Sequence, residues 1–222
     1  ATAPAAAALA SALLGAPPEA AGAAAVGAAI VAARMPVAVG GQGAVPVWRG
    51  HSVVARDGVD KAAGISFVDL EQCYEAPAEI VAVRFRAAVL QDGDGPTGCL
   101  RVFLAGPRDL GCSTPLCGFA EEGHVLEMMA RSEELCVAAS GPARFSLVPP
   151  LRAREGDCLG WQYGGNGSLR VPFAAGGPGR VAWHRAVLLP TEVGIFSADE
   201  ARTYSIGAQA VELPAAPQGA PS

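Results

Sequence analysis

From residue 37 onward the chain repeats one pattern: short stretches of alternating apolar and polar side chains, closed off by glycine and proline. A period of two puts successive side chains on opposite faces of an extended backbone, the mark of a strand with one buried face. Residues 80–89, IVAVRFRAAV, are the clearest case. Val81, Val83 and Phe85 share one face, and Arg84 and Arg86 take the other. QDGDGPTG then reads as a turn, and CLRVFLA returns with Leu100, Val102 and Leu104 aligned. Together these predict a β-hairpin with a loop somewhat longer than the tightest type. Further strands are expected in GISFVDL, GHVLEMMA, ELCVAA, RFSLV, DCLGWQY, SLRVPF, RVAWH and TYSIGAQAVEL. Residues 121–136 contain good helix formers, but strand is preferred there too. Many short strands between Gly/Pro turns predict an all-β domain, an antiparallel two-sheet β-sandwich of jelly-roll-like type.

The first 36 residues obey a different rule. Between Ala1 and Ala33 the only charged residue is Glu19, and Pro17-Pro18 splits two Ala-rich runs. Glu19 to Arg34 reads as a helix, with Pro18 in its first turn, charges that suit the helix dipole, and Pro36 as its stop. A linker or targeting remnant, a docking helix, and an autonomous membrane span are the three readings of this segment. A span needs about 20 apolar residues, and this run is shorter and mostly Ala and Gly. Any membrane association is therefore assigned to residues 1–36, the sandwich to 37–213, and a disordered tail to 214–222, by composition.

Charge and cysteine usage narrow the function. A net charge of −5 argues against a nucleic-acid partner, which needs a basic face for phosphate. All six cysteines lie between Cys73 and Cys158. An even set confined to a β-rich domain predicts a disulfide framework in an oxidising compartment: secreted, cell-surface, or an organelle lumen or periplasm. Cys112 and Cys117, in GCSTPLCG, are predicted to form a local disulfide, because the Gly- and Pro-containing loop can bring the two sulfurs together. Spacing leaves the pairing of Cys73, Cys99, Cys136 and Cys158 open.

Residues 151–173 carry a second cluster of signals. Gly156-Asp157 opens a strand on which Leu159, Trp161 and Tyr163 alternate onto one face, GGNGS reads as a hairpin turn, and Leu169, Val171 and Phe173 return aligned. Over these few residues the pattern resembles the secreted jelly rolls of the tumour-necrosis-factor and complement-C1q types, an architectural analogy only. Asn166, the only asparagine, heads a glycosylation sequon, although Asn-Gly also simply makes the turn.

Metal and catalytic motifs are weak by comparison. Asp92 to Gly95 resembles the start of a calcium loop, but the twelfth position is Phe103 where glutamate is required. Cys112, Cys117, His124 and Cys136 could supply four zinc ligands, without a second tight knuckle. His51, His124 and His184 lie outside any catalytic motif, and His184 reads as a hydrogen-bonded structural histidine. Glu121, Glu122, Glu155 and Asp157 would serve a carboxylate-based hydrolase or lyase only if they converged. No catalytic, metal or cofactor site is assigned. The expectation is a non-enzymatic module that recognises a protein partner or a glycan, with Trp161, Tyr163 and Trp183 as candidate contacts. The alternatives are an accessory subunit of a larger complex, docked through the Ala-rich segment, and an enzyme on the same scaffold.

Overall fold

The computed structural model describes residues 45–60, 64–89, 98–108, 123–163, 169–197 and 200–214. All of them belong to the second of two units into which the chain divides, Gly40–Ser222. Among the described residues there are thirteen strands and no helix. In chain order they are β1 (Val47–Gly50), β2 (Ser66–Cys73), β3 (Ala78–Val89), β4 (Gly98–Pro107), β5 (Gly123–Arg131), β6 (Leu135–Val137), β7 (Gly141–Ala153), β8 (Cys158–Tyr163), β9 (Leu169–Arg170), β10 (Phe173–His184), β11 (Val193–Ser197), β12 (Glu200–Tyr204) and β13 (Ile206–Glu212).

The strands build two antiparallel sheets packed as a sandwich. The smaller runs β1-β13-β3-β7, with β9 added beside the end of β3; the larger runs β11-β5-β4-β8-β2-β10-β12, with β6 beside the start of β4. The core between them holds Ile80, Val83 and Phe85 from the smaller sheet and Leu100, Val102, Leu104, Leu159, Trp161 and Tyr163 from the larger. Period-two alternation on β4 and β8 thus places the residues it promised. On β3 it slips. Ala82 pairs with Gln209 and Ile80 with the next residue, Ala210, so Val81 is an extra residue in the ladder. A bulge of this kind passes the inward position along the strand: Ile80 is fully buried, while Val81 is half-buried and outside the core.

Two expected hairpins are absent. β3 pairs with β13, β7 and β9, whereas β4 pairs with β5, β6 and β8. The chain therefore crosses from one sheet to the other between Val89 and Gly98. It crosses again after β8, because Leu169 and Arg170 pair with Val89 and Ala88 of the smaller sheet. Alternation states which side chains share a face, and an inward face looks the same whether the next strand is its neighbour or lies across the core.

The larger sheet is buried on both sides. Its far face carries Val68, Phe103, Ala105, Met128, Cys158 and Ala182, packed with Leu188 and Phe196. Residues 185–192 cross this face and are tied down by Ser66 Oγ donating to Ala186 O (2.7 Å), Arg131 donating to Leu188 O (3.2 Å) and Thr191 N donating to Met128 O (2.8 Å). Gly160 stands against this layer because a Cβ there would lie 2.4 Å from the Phe103 ring.

Four cysteines form two disulfides, Cys73–Cys158 and Cys99–Cys136, each joining directly paired residues of neighbouring strands in the larger sheet. Two such bonds point to an oxidising compartment. They overturn the zinc reading in which Cys136 was a ligand, because its sulfur is bound to Cys99. Cys112, Cys117, Asn166, Asp92–Gly95 and the two terminal segments lie outside the described residues. Non-reducing peptide mapping is expected to recover the Cys73–Cys158 and Cys99–Cys136 peptides. Replacing each pair by serine should cost stability in the order of loop length: the bonds span 85 and 37 residues, which chain entropy converts to about 0.7 kcal/mol more for the loss of Cys73–Cys158. Chemical denaturation of the two double variants measures the difference.

Candidate functional site

Two constellations of polar side chains stand out, and they differ in one respect: the first is closed on itself and the second is open.

The first centres on Asp60, whose side chain is 8% exposed. Its Oδ2 accepts hydrogen bonds from the hydroxyls of Tyr204 (3.0 Å) and Tyr163 (3.3 Å), and its Oδ1 from Arg202 (3.0 Å). Tyr163 OH in turn accepts the Val171 N–H (3.1 Å), and Tyr204 OH accepts from Arg202 (3.3 Å). Arg170 Nε donates to the Asp60 carbonyl (3.0 Å). The tyrosines reach this point because alternation on β8 and β12 sends their rings inward and their hydroxyls toward the edge of the core. Burial raises the Asp60 carboxyl above its ordinary value, against the lowering effect of the tyrosine hydrogen bonds and the two arginines. Burial, and then the Asp60 charge, push both phenols up out of the physiological range. The donors come from β8, β9 and β12, so the cluster works as a clasp that fixes the segment 51–60 to these strands.

Trp183 belongs to the fringe of this cluster. Its Nε1 donates to Glu200 Oε1 (2.7 Å), whose other oxygen pairs with Arg202 Nε (2.6 Å), and the Arg185 guanidinium lies 5.2 Å from the indole centroid. Of the three aromatic residues proposed as contacts, Trp161 and Tyr163 are fully buried and offer no ring face to a ligand; Trp183 is half-buried and already engaged.

The second constellation lies on the outer face of the smaller sheet. Trp48 of β1 stands beside Arg84 of β3 and Arg144 of β7, with guanidinium carbons 4.4 and 5.2 Å from the indole centroid. Arg84 and Arg144 are direct cross-strand partners, and Arg86 follows on the same face opposite Pro142. Gly207 lets β1 approach this closely, since a Cβ there would lie 2.6 Å from the Arg49 carbonyl. Nearby, Glu79 is held by Arg152 (3.1 Å) and Glu212 pairs with Arg49. Among the described residues no carboxylate pairs with Arg84, Arg86 or Arg144. Arg144 donates only to Gln209 (3.3 Å), and the Arg84 Nε is buried without an acceptor. The tryptophan and its arginines had no local signal in the sequence. Trp48 precedes the first strand that alternation revealed, and 96 positions separate it from Arg144; only the alternation of Arg84 and Arg86 was legible.

Asp157 accepts the Arg154 N–H (2.8 Å) and closes the turn before β8, while Glu155 is exposed; Glu121 and Glu122 lie outside the described residues. His184 Nδ1 meets the Ile195 carbonyl at 2.8 Å, which is the structural role expected of it. His124 is on β5 opposite Phe196. His51 Nε2 lies 3.1 Å from the buried Asp69 carboxylate, which also accepts from Gln72 (2.6 Å) and the Glu71 N–H (3.0 Å). Cys99, Glu134 and Cys136 approach one another closely enough for a metal, but the two sulfurs are bonded to each other and Glu134 pairs with Arg101 (2.8 Å), so no thiolate is available to a cation. No protein-family model matches the chain, and neither does any curated protein or solved structure.

The clasp predicts a stability effect with a pH sign. Asp60→Ala leaves two buried phenols without their acceptor, and is expected to cost about 2–4 kcal/mol in denaturant unfolding. Because folding raises the Asp60 pKa, the folded state binds the proton more tightly. The stability linked to this proton is present below the ordinary aspartate value of 3.8 and is lost as pH rises through the higher folded value. The stability of the wild type relative to Asp60→Ala should therefore increase as pH falls from neutrality toward 4, as paired unfolding curves would record.

Proposed function

We propose that the sandwich is a non-enzymatic binding module of a secreted, cell-surface or lumenal setting, and that it meets its partner, a glycan or a protein, through the outer face of the smaller sheet. One observation carries this reading: Trp48, Arg84, Arg86 and Arg144 share a solvent-facing sheet surface on which no acid of the described residues neutralises the arginines. Like charges on directly opposed strand positions are unfavourable in themselves. The indole offsets part of that cost through cation–π attraction, worth about 0.5–1 kcal/mol at an exposed site. A ligand that supplies acceptors would remove the rest. Arginine and tryptophan are also the side chains most often found to dominate binding energy. The Asp60 clasp, by contrast, spends its polar groups on one another, which supports a structural role for it.

The disulfide-bonded framework suits such a module. A rigid sheet presents contact residues at fixed spacing, so little ordering entropy is paid on association. In a combined glycan and protein array, wild-type protein should give at least one saturable hit. The variant Trp48→Ala/Arg144→Ala should lose about tenfold or more in affinity for that hit, equivalent to about 1.4 kcal/mol, with an unchanged circular dichroism spectrum. A hit that binds both proteins equally would remove the outer face as the contact surface.

A further inference from the structure

We infer that the ligand of this face is an anionic polysaccharide, one bearing carboxylate or sulfate groups along its chain. The inference rests on the reading of the outer face as the contact surface and adds the chemistry of what occupies it.

Charge supplies the first reason. Arg84, Arg86 and Arg144 form a triangle on two adjacent strands, with Arg84 directly opposite Arg144 and Arg86 two residues farther along. Adjacent strands lie about 4.8 Å apart and alternate residues about 6.8 Å apart, so three guanidinium groups sit within reach of one extended, repeatedly charged chain. A guanidinium offers a planar pair of donors that matches a carboxylate or sulfate edge, and such charge-assisted pairs are about twice as strong as neutral ones.

The neighbours of Trp48 supply the second reason. Across the sheet in its own row stand Gln209, Ala82 and Ser146, and in the next row Gly50 and Gly207 precede Arg84 and Arg144. Small and polar side chains therefore surround one indole. A protein interface has an apolar core of several residues, and this face provides a single ring. A sugar chain asks for less: hydrogen-bonding and charged groups beside a single aromatic residue, here an indole with guanidinium carbons 4.4 and 5.2 Å from its centroid. Gln209 already faces Arg144 at 3.3 Å and has an amide to share with a hydroxyl. The protein as a whole is acidic, with a net charge of −5, so general basicity does not explain three arginines on one face with no acidic partner among the described residues.

The test uses the full-length chain in solution against immobilised heparin, polygalacturonate, neutral dextran, poly-L-glutamate and a single-stranded DNA oligonucleotide. Heparin or polygalacturonate should bind, and which of them binds tighter separates sulfate from carboxylate as the group recognised; dextran should not bind. Raising salt from about 0.05 to 0.3 M should weaken the interaction by about tenfold or more, because exposed charges are screened beyond a Debye length. Arg84→Gln/Arg144→Gln should lose about tenfold. Arg86→Gln, which removes a guanidinium with no acidic partner among the described residues, should lose a smaller factor while leaving Tm unchanged. Arg108→Gln, at a site paired with Glu127 on the other sheet, should bind as wild type. Failure of both acidic polysaccharides to bind, or equal binding by Arg84→Gln/Arg144→Gln and by Arg86→Gln, overturns the inference. Preferential capture by poly-L-glutamate or DNA, abolished by the same variants, also overturns it, and leaves the outer face standing as a contact surface for a different acidic partner.

Discussion

Five aromatic rings meet in one contiguous stack, and the sandwich is organised around them. Phe67 lies nearly parallel to Trp161 at 5.4 Å, Trp161 and Tyr204 are 4.7 Å apart, and Tyr163 and Phe173 flank the group. They come from β2, β8, β10 and β12, strands brought together from across the sequence. In a chain that is 6% aromatic and in which alanine is the commonest apolar residue, this stack supplies bulk that alanine cannot. It also imposes a demand. Two of the rings carry hydroxyls, and a buried hydroxyl must find a partner. Asp60 meets both, and its own charge is met by Arg202 and Arg170. The apolar centre of the fold and its most elaborate polar network are one construction, joined at the phenolic oxygens.

That construction directs attention away from itself as a site. Trp161 and Tyr163 looked like candidate contacts because aromatic residues serve both cores and binding surfaces. Here the alternation that aligned them with Leu159 already described a buried face. Trp48 is the reverse case, an isolated tryptophan on an edge strand whose neighbours are cations.

How much of this was legible in the sequence follows from the range of each signal. Strand faces are written within a few residues, and on β4 and β8 the inward positions came out as the alternation implied. Strand partners are not written locally. β3 and β4 are adjacent in sequence, eight residues apart, and lie in different sheets; Leu169 follows a Gly-rich stretch and pairs with β3 instead of β8. The Val81 bulge escaped for a related reason, since an extra residue is defined only against the neighbouring strand. The clasp joins Asp60 to Tyr204 across 144 positions, and the disulfide partners of Cys73 and Cys99 lie 85 and 37 residues away. Such contacts are properties of the assembled sheets, and no spacing rule reaches them.

The two disulfides both lie within the larger sheet. Each joins residues that are already neighbours across a ladder, so among the described residues no disulfide crosses from one layer to the other. Among the described residues the sandwich is in this sense a reinforced panel bearing a second panel, joined to it by packing, the Asp60 hydrogen bonds and the connecting chain. A force that shears strands of the larger sheet past one another must strain sulfur bonds. A force that peels the layers apart strains no disulfide among the described residues, and the arginine-bearing layer is the one it would lift.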